Sequence, residues 1–189
     1  DPVHAGYIKQ GLLHGIEVAN GADMSDEAFQ MALDNNLTIL GTSDIHGLID
    51  WDYDLAGGQH RTATLVLTAS ETTDGLKAAL RAGHTVAVYN DNLIGKPENV
   101  EAVVRSTLRL EVEDPLPKTT VQAVSVINDS PVDYIIENSG PEGAYDEGHV
   151  FTVKAGSAFT LLIKNVPDPS KLSLTFKVLN TYIAPRQHL

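Results

Sequence analysis

The spacing of apolar positions changes near residue 106. Before it, short apolar runs alternate with segments of helical period. Residues 15–20, Gly-Ile-Glu-Val-Ala-Asn, read as a strand ending in a turn at Asn20-Gly21. Ser25 is placed to cap a helix, with Asp26 and Glu27 in its first turn, where the helix dipole favours negative charge. Phe29, Ala32 and Leu33 recur at i, i+3, i+4, and Asn35-Asn36 is a stop. Residues 37–42 form a second apolar run of strand length. Strand, helix, strand is a βαβ pattern, which implies parallel pairing. A loop of about a dozen residues follows Gly47, and loops of that length are often functional. The spacing then predicts a strand over 62–68, a helix capped by Thr72 or Thr73 with Gly83 at its end, a strand over 85–89 and a helix opening at Pro97.

Beyond residue 106 helical spacing stops. Alternating or β-branched runs fall at 108–113, 120–127, 132–137, 149–154, 158–164 and 172–179. Turn residues separate them at Asp114-Pro115, Asn128 to Pro131, Gly140-Pro141, Ala155 to Ser157 and Pro167 to Pro169. Short strands at this spacing are the mark of a β-sandwich. The boundary falls at 105–108, giving an α/β region over 1–106 and an all-β region over 107–189.

Composition narrows the function classes. With 42% hydrophobic and 20% charged residues, the chain has the make-up of a globular protein, and 189 residues can bury a core. Its apolar runs are far below the roughly 20 residues of a membrane helix. No stretch reads as a signal peptide. The absence of Cys removes disulfides, thiolate metal sites and a Cys nucleophile. A net charge of −12 argues against nucleic acid held by a basic face. The first residue is not Met, which points to a processed or excised piece. The charge is also uneven: residues 1–60 hold ten acidic side chains, four His and a single basic residue, Lys9. That is either a solvated surface or the setting of a hard-cation site.

The tripeptide Asp44-Ile45-His46 sits directly after the strand 37–42. In extended chain, residues two apart point the same way. An Asp and a His so spaced at the carboxyl end of a parallel strand project into the face where α/β folds place their sites. Carboxylate with imidazole suits Zn, Mn or Fe; the plainer alternative is a capping Asp beside a surface His. Glu17 interrupts an apolar strand, facing opposite Ile16 and Val18. It is a hydrogen-bonding support for a site, a ligand, or simply exposed. Asn20 is either a second support on that face or an ordinary turn residue. His60-Arg61 ends the acidic loop, and Arg61 is a fork for a substrate phosphate or the partner of a nearby Asp. Asp50, Asp52 and Asp54 read as solvated, while Trp51 and Tyr53 could line a substrate mouth. Gly57-Gly58 lacks the helix and Lys of a phosphate loop, and no Gly-x-Ser-x-Gly elbow occurs.

The stretch 41–46, Gly-Thr-Ser-Asp-Ile-His, resembles the last metal-ligand motif of the PHP family, the polymerase and histidinol phosphatase-like phosphoesterases. Residues 15–21 resemble the strand before it. His60-Arg61-Thr62, the strand 62–68 and residues 80–89 resemble the strand–helix–strand after it. The ordered set is most similar to a branch of metal-dependent phosphodiesterases with a C-terminal β-sandwich, and it covers essentially the whole chain.

The resemblance implies part of a distorted (β/α)7 barrel followed by an Ig-like β-sandwich. It implies phosphodiester hydrolysis by a metal-bound hydroxide in a cluster of two or three Zn, Mn or Fe ions, with Asp44 and His46 as ligands. The family's His-x-His pair, its other His and Glu ligands and its His-Pro motif precede this segment, and none of them occurs here. The expectation is therefore an incomplete fragment of a hydrolase acting on a small-molecule phosphoester. The alternative is a non-catalytic binding or structural protein with a degenerate α/β domain. Half a barrel would leave the strand 15–20 with a bare edge, to be covered by a dimer or a companion N-terminal fragment. A sandwich appended to a hydrolase leans towards an exported bacterial protein.

Overall fold

The computed structural model describes residues 2–114, 116–140, 149–164, 166, 168, 170 and 172–189. Pro115, Pro141, Pro167 and Pro169, used above as turn residues, lie outside them. The chain runs through α1 (Pro2–Lys9), β1 (Gly15–Asn20), β2 (Asp23–Met24), α2 (Asp26–Asp34), β3 (Thr38–Thr42), α3 (Ile49–Asp52), β4 (Ala63–Val66), α4 (Thr73–Ala82), β5 (Thr85–Tyr89), β6 (Asn92–Gly95) and α5 (Pro97–Thr107). There follow β7 (Leu108–Val112), β8 (Gln122–Asn128), β9 (Tyr134–Asn138), β10 (Val150–Val153), β11 (Ser157–Ile163), β12 (Phe176–Val178), β13 (Thr181–Ala184) and β14 (Gln187–His188). Two compact units result: Asp1–Val100 with Thr181–Gln187, and Glu101–Asn180 with His188–Leu189.

The local signals explain the first unit's helices. Ser25 Oγ accepts from Ala28 N at 3.1 Å and starts α2. Thr72 does the same for α4 through Gly75 N at 3.2 Å, and Gly83 ends it in the left-handed region at φ 72°. Val18, Phe29, Ala32, Leu37, Ile39, Ala87 and Ile94 form the core between these elements. β1 and β3 pair in parallel, as the βαβ pattern requires, from Gly15 opposite Thr38 to Asn20 opposite Thr42.

The next strands depart from the wall of a parallel barrel. β4, β5 and β6 run antiparallel to one another. Among the described pairings, parallel ones are confined to β1–β3 and β13–β6. Thr181–Gln187 join the first unit because β13 adds to β6, Thr181 opposite Leu93. Nothing in residue spacing separates them from 107–189.

β3 meets the second sheet through threonine hydroxyls. Thr85 Oγ1 donates to Ile39 O at 2.6 Å; Thr64 Oγ1 donates to Gly41 O at 2.7 Å and accepts from Gly41 N at 2.9 Å. The approach is close enough that a Cβ on Gly41 would lie 2.7 Å from Ala63 O.

Among the described residues, the second unit holds two three-stranded sheets, ordered β7-β8-β11 and β10-β9-β12, whose described pairings are antiparallel. Inward positions alternate along the three strands β8, β9 and β10: Val124 and Val126 on β8, Tyr134 and Ile136 on β9, Phe151 and Val153 on β10. This period of two is what the sequence displayed after residue 106.

Candidate functional site at the carboxyl ends of β1 and β3

The turn after β1 is tied to the end of β3. Gly21 N donates to Thr42 O at 2.8 Å, Thr62 Oγ1 donates to Gly21 O at 2.7 Å, and Tyr89 Oη donates to Ala22 O at 2.5 Å. Around this fastened end lie the polar residues that the sequence singled out.

Asp44 follows β3 in the left-handed region, at φ 49°. Asp tolerates that region better than most residues because its short side chain bonds locally. The backbone there is not extended, yet His46 Nε2 still lies 3.3 Å from Asp44 Oδ1. Both side chains are open to solvent, 89% for His46 and 60% for Asp44. The pair is therefore placed by a reversal of the chain and not by strand alternation.

Asp44 and Asn20 line one cavity of about 430 Å³, together with Asp23 and Tyr53. His60 lines a neighbouring cavity of about 380 Å³, with Gln59 and Asp91. The two cavities share Asp52, Tyr53 and Asn90, so they form one cleft within the first unit. Neither lining includes His46, Glu17 or Arg61. Glu17 is exposed and accepts from Asn20 Nδ2 at 2.9 Å, which fixes the Asn20 side chain at the end of β1. His60 and Arg61 part company: the imidazole is half-buried, whereas Arg61 is exposed and makes no ion pair among the described residues. The pairing of Arg61 with a loop Asp, weighed above, does not form.

His60 is held on both sides. Its Nε2 lies 3.3 Å from Asp91 Oδ1 and its Nδ1 lies 3.2 Å from Arg61 O. Asp91 was not visible as a site residue from sequence, because it lies 31 positions away. It arrives through the two-residue turn Asn90-Asp91 between β5 and β6, both residues left-handed at φ 47° and 59°. Two turn-forming residues between the apolar runs 85–89 and 92–95 were the available signal. The acidic loop after Gly47 carries the single helical turn α3, which brings Asp52 and Tyr53 to the cleft; Trp51 lies instead against Gly47.

A carboxylate and an imidazole can supply two ligands of a divalent cation. Among the described residues no group of three His, Asp or Glu side chains could hold one. Asp44 and His46 thus fit one edge of a metal centre and do not make a centre by themselves.

Comparison with known proteins gives two findings and one blank. Residues 108–189 match a family model described as an Ig-like domain. No curated protein matches the chain. The whole chain is similar to the crystal structure of a two-domain protein from Bacteroides vulgatus containing a predicted PHP-like metal-dependent phosphoesterase. That similarity has 29% identity and a TM-score of 0.83, and it covers 100% of this chain and 55% of that one. The chain therefore spans about half the length of the protein it matches, with an Ig-like domain as its second region.

Proposed function

We propose that this chain is the C-terminal part of a PHP-like metal-dependent phosphoesterase that hydrolyses phosphodiesters, its first region being part of a distorted (β/α)7 barrel. The observation that carries this reading is the Asp44–His46 contact at the carboxyl end of a parallel strand pair, beside a cleft, in a chain similar along its whole length to the Bacteroides vulgatus protein. The charge of the cleft supports it. Asp23, Asp44, Asp52 and Asp91 line it with no Lys or Arg among them, so an anionic phosphoester enters only when cations offset that charge. Zn, Mn or Fe would supply that offset and polarise a phosphoryl oxygen.

In this reading Asp44 and His46 are two ligands, and the others come from residues outside this sequence. Asn20, held by Glu17, braces the same end of β1. Arg61, exposed and without an ion pair among the described residues, is the fork for the phosphate at the mouth, and His60 closes the wall behind it. Among the described residues, the outer edge of β1 meets β2 at Ala19 and Asn20 and accepts from Ser25 N at Val18 O, at 2.9 Å. A companion N-terminal segment, or a second copy of the chain, covers the remainder of that edge.

The test is titration of the chain with Mn2+ followed by NMR. Paramagnetic broadening is expected first at the amides of residues 43–47, and it should disappear in Asp44→Asn and His46→Ala. Broadening spread evenly over the acidic first third in all three proteins would sink the reading. It would favour the rival, a non-catalytic binding protein. Hydrolysis of bis(p-nitrophenyl) phosphate by the longer parent polypeptide, lost in the same two variants, tests the reaction itself.

A further inference from the structure

We propose that the cavity of about 380 Å³ beside Asp44 is a subsite for a neutral, polyhydroxylated alcohol, the sugar or polyol carried by the phosphoester. Its size is within the range of small-molecule sites, but its lining is unlike most of them. Asp52, Tyr53, Gln59, His60, Asn90 and Asp91 form it, with a phenol and an imidazole as its rings and no aliphatic side chain. A lining of that kind returns little to an apolar ligand and favours one that makes many hydrogen bonds.

The hydrogen-bonding complement narrows the ligand further. The backbone N–H of Asp54 donates to Gln59 Oε1 at 2.8 Å, which fixes the carboxamide and leaves its NH2 group as donor. Among the described residues that NH2, the Asn90 carboxamide, the Tyr53 hydroxyl and the Asp52 carboxylate have no protein partner. Together they offer donors and acceptors in mixture. An anion would use only the donors and would meet two carboxylates; a cation would use only the acceptors. A hydroxyl both donates and accepts, and a polyol presents several at once. The Tyr53 ring, shared with the Asp44 cavity, gives a flat face for the C–H side of a sugar.

The backbone around the cavity points the same way. A two-residue hairpin turn with both residues at positive φ is best served by Gly at its second position. Here that position is Asp91, at φ 59°, and its carboxylate holds the His60 ring that walls the cavity. A residue that serves the cavity thus stands where turn geometry alone favours Gly.

The designation as the alcohol side of a phosphoester rests on the function proposed above; the polyol chemistry of the cavity does not. The two are separable in one experiment. The chain is titrated with methyl β-ribofuranoside and with myo-inositol, neither of which carries phosphate or needs a metal, and amide shifts are followed by NMR. Tetramethylammonium and inorganic phosphate serve as the cationic and anionic comparisons. Saturable shifts are expected at residues 52–53, 59–60 and 90–91 with a Kd of about 1–10 mM. Gln59→Glu, which keeps the acceptor for Asp54 N–H, and Asn90→Gly, which suits the turn, should each weaken binding at least about fivefold with spectra otherwise unchanged. No saturable shift by either polyol up to about 100 mM would overturn the proposal. So would tighter binding of tetramethylammonium at the same residues, or unaltered binding by both variants. Polyol binding by the chain, with no hydrolysis of bis(p-nitrophenyl) phosphate by the longer parent polypeptide, would retain the subsite and remove the phosphoesterase reading.

Discussion

Asn128 and Asn90 are the same residue in opposite circumstances. Asn128, fully buried in the sandwich, uses its whole carboxamide: Nδ2 donates to Val132 O at 2.8 Å and Val153 O at 3.0 Å, and Oδ1 accepts from Ser130 N at 2.9 Å and Ser130 Oγ at 2.6 Å. Asn90 stands exposed at a turn in the first unit, and its side chain has no partner among the described residues. Asn180 repeats the first pattern, accepting from Ile135 N at 3.0 Å and donating to Asp133 O at 2.6 Å. Asp52 and Gln59 repeat the second, except for the one bond that orients Gln59. Buried polar groups that bond completely help to specify a fold, whereas exposed ones are satisfied by water and stay open to a ligand. The difference places a self-satisfied network in the sandwich and leaves the cleft of the first unit open for the function proposed above.

The sharpest way to break that comparison is to exchange the two asparagines. Asn128→Ala takes the side-chain partner from Val153 O and Ser130 N in the interior, while Ser130 Oγ and Val132 O keep each other at 2.8 Å. At about 1–3 kcal/mol for each buried group left unmet, with some relaxation, the expected loss is about 2–3 kcal/mol in urea or thermal unfolding. Asn90→Gly should change stability by no more than about 0.5 kcal/mol, because Gly accepts the left-handed turn and no bond is lost. A cost below about 1 kcal/mol for Asn128→Ala would mean that the network is ornamental and the comparison fails.

Below the cleft the first unit is as unforgiving as the sandwich. A Cβ at Gly41 would lie 2.7 Å from Ala63 O and 3.0 Å from the Ala87 Cβ, with backbone on one side and core on the other. Gly41→Ala should cost about 2–3 kcal/mol, since neither neighbour can yield. At Gly83 the Cβ would meet Lys96 Nζ at 2.7 Å, the mobile end of a side chain that donates to Asn36 Oδ1 at 2.6 Å. There the cost is mainly the left-handed backbone, φ 72°, and about 1–1.5 kcal/mol is expected for Gly83→Ala. If Gly41→Ala were the milder of the two, the hydroxyl-bonded contact between β3 and the second sheet would be looser than its geometry implies. Far-UV and near-UV melts of the two variants decide the order.

Much of this was legible in the sequence, for local reasons. Ser25, Thr72 and Gly83 announce helix ends because caps act within a few residues. The strands after residue 106 announce themselves by period two, and a family model independently marks 108–189 as Ig-like. What escaped depends on distance. β13 returns to β6 across some 85 positions of chain, and no local pattern encodes that. β6 has only four residues, and the turn before it lacks the Gly that usually marks a hairpin. At the site, the spacing of Asp44 and His46 hinted at their contact, although a left-handed backbone and not strand alternation produces it. The His60–Asp91 contact was out of reach because it requires the β5–β6 turn to be known first.

A smaller effect tests the same division through pH. Burial pushes the Asp133 carboxyl up, but hydrogen bonds from Lys154 and from Ala155 N–H, with the Lys154 charge, outweigh it and hold the group below its ordinary value of 3.8. The bonds are 2.6 Å from Lys154 Nζ and 2.9 Å from Ala155 N. A carboxyl depressed in the folded state binds its proton more weakly there than in the unfolded chain. Its contribution is therefore complete above 3.8 and is lost as the pH falls through the lower folded value. Because Lys154 is 74% exposed, water screens the pair, and the amount at stake is below about 1 kcal/mol. Unfolding midpoints of the wild type and Asp133→Asn, measured between about pH 2 and 5, should converge at the acid end and separate above it, the wild type being the more stable. A constant gap across that range would assign the effect of the substitution to the Ala155 turn alone, and the sandwich would owe nothing to the charge of Asp133.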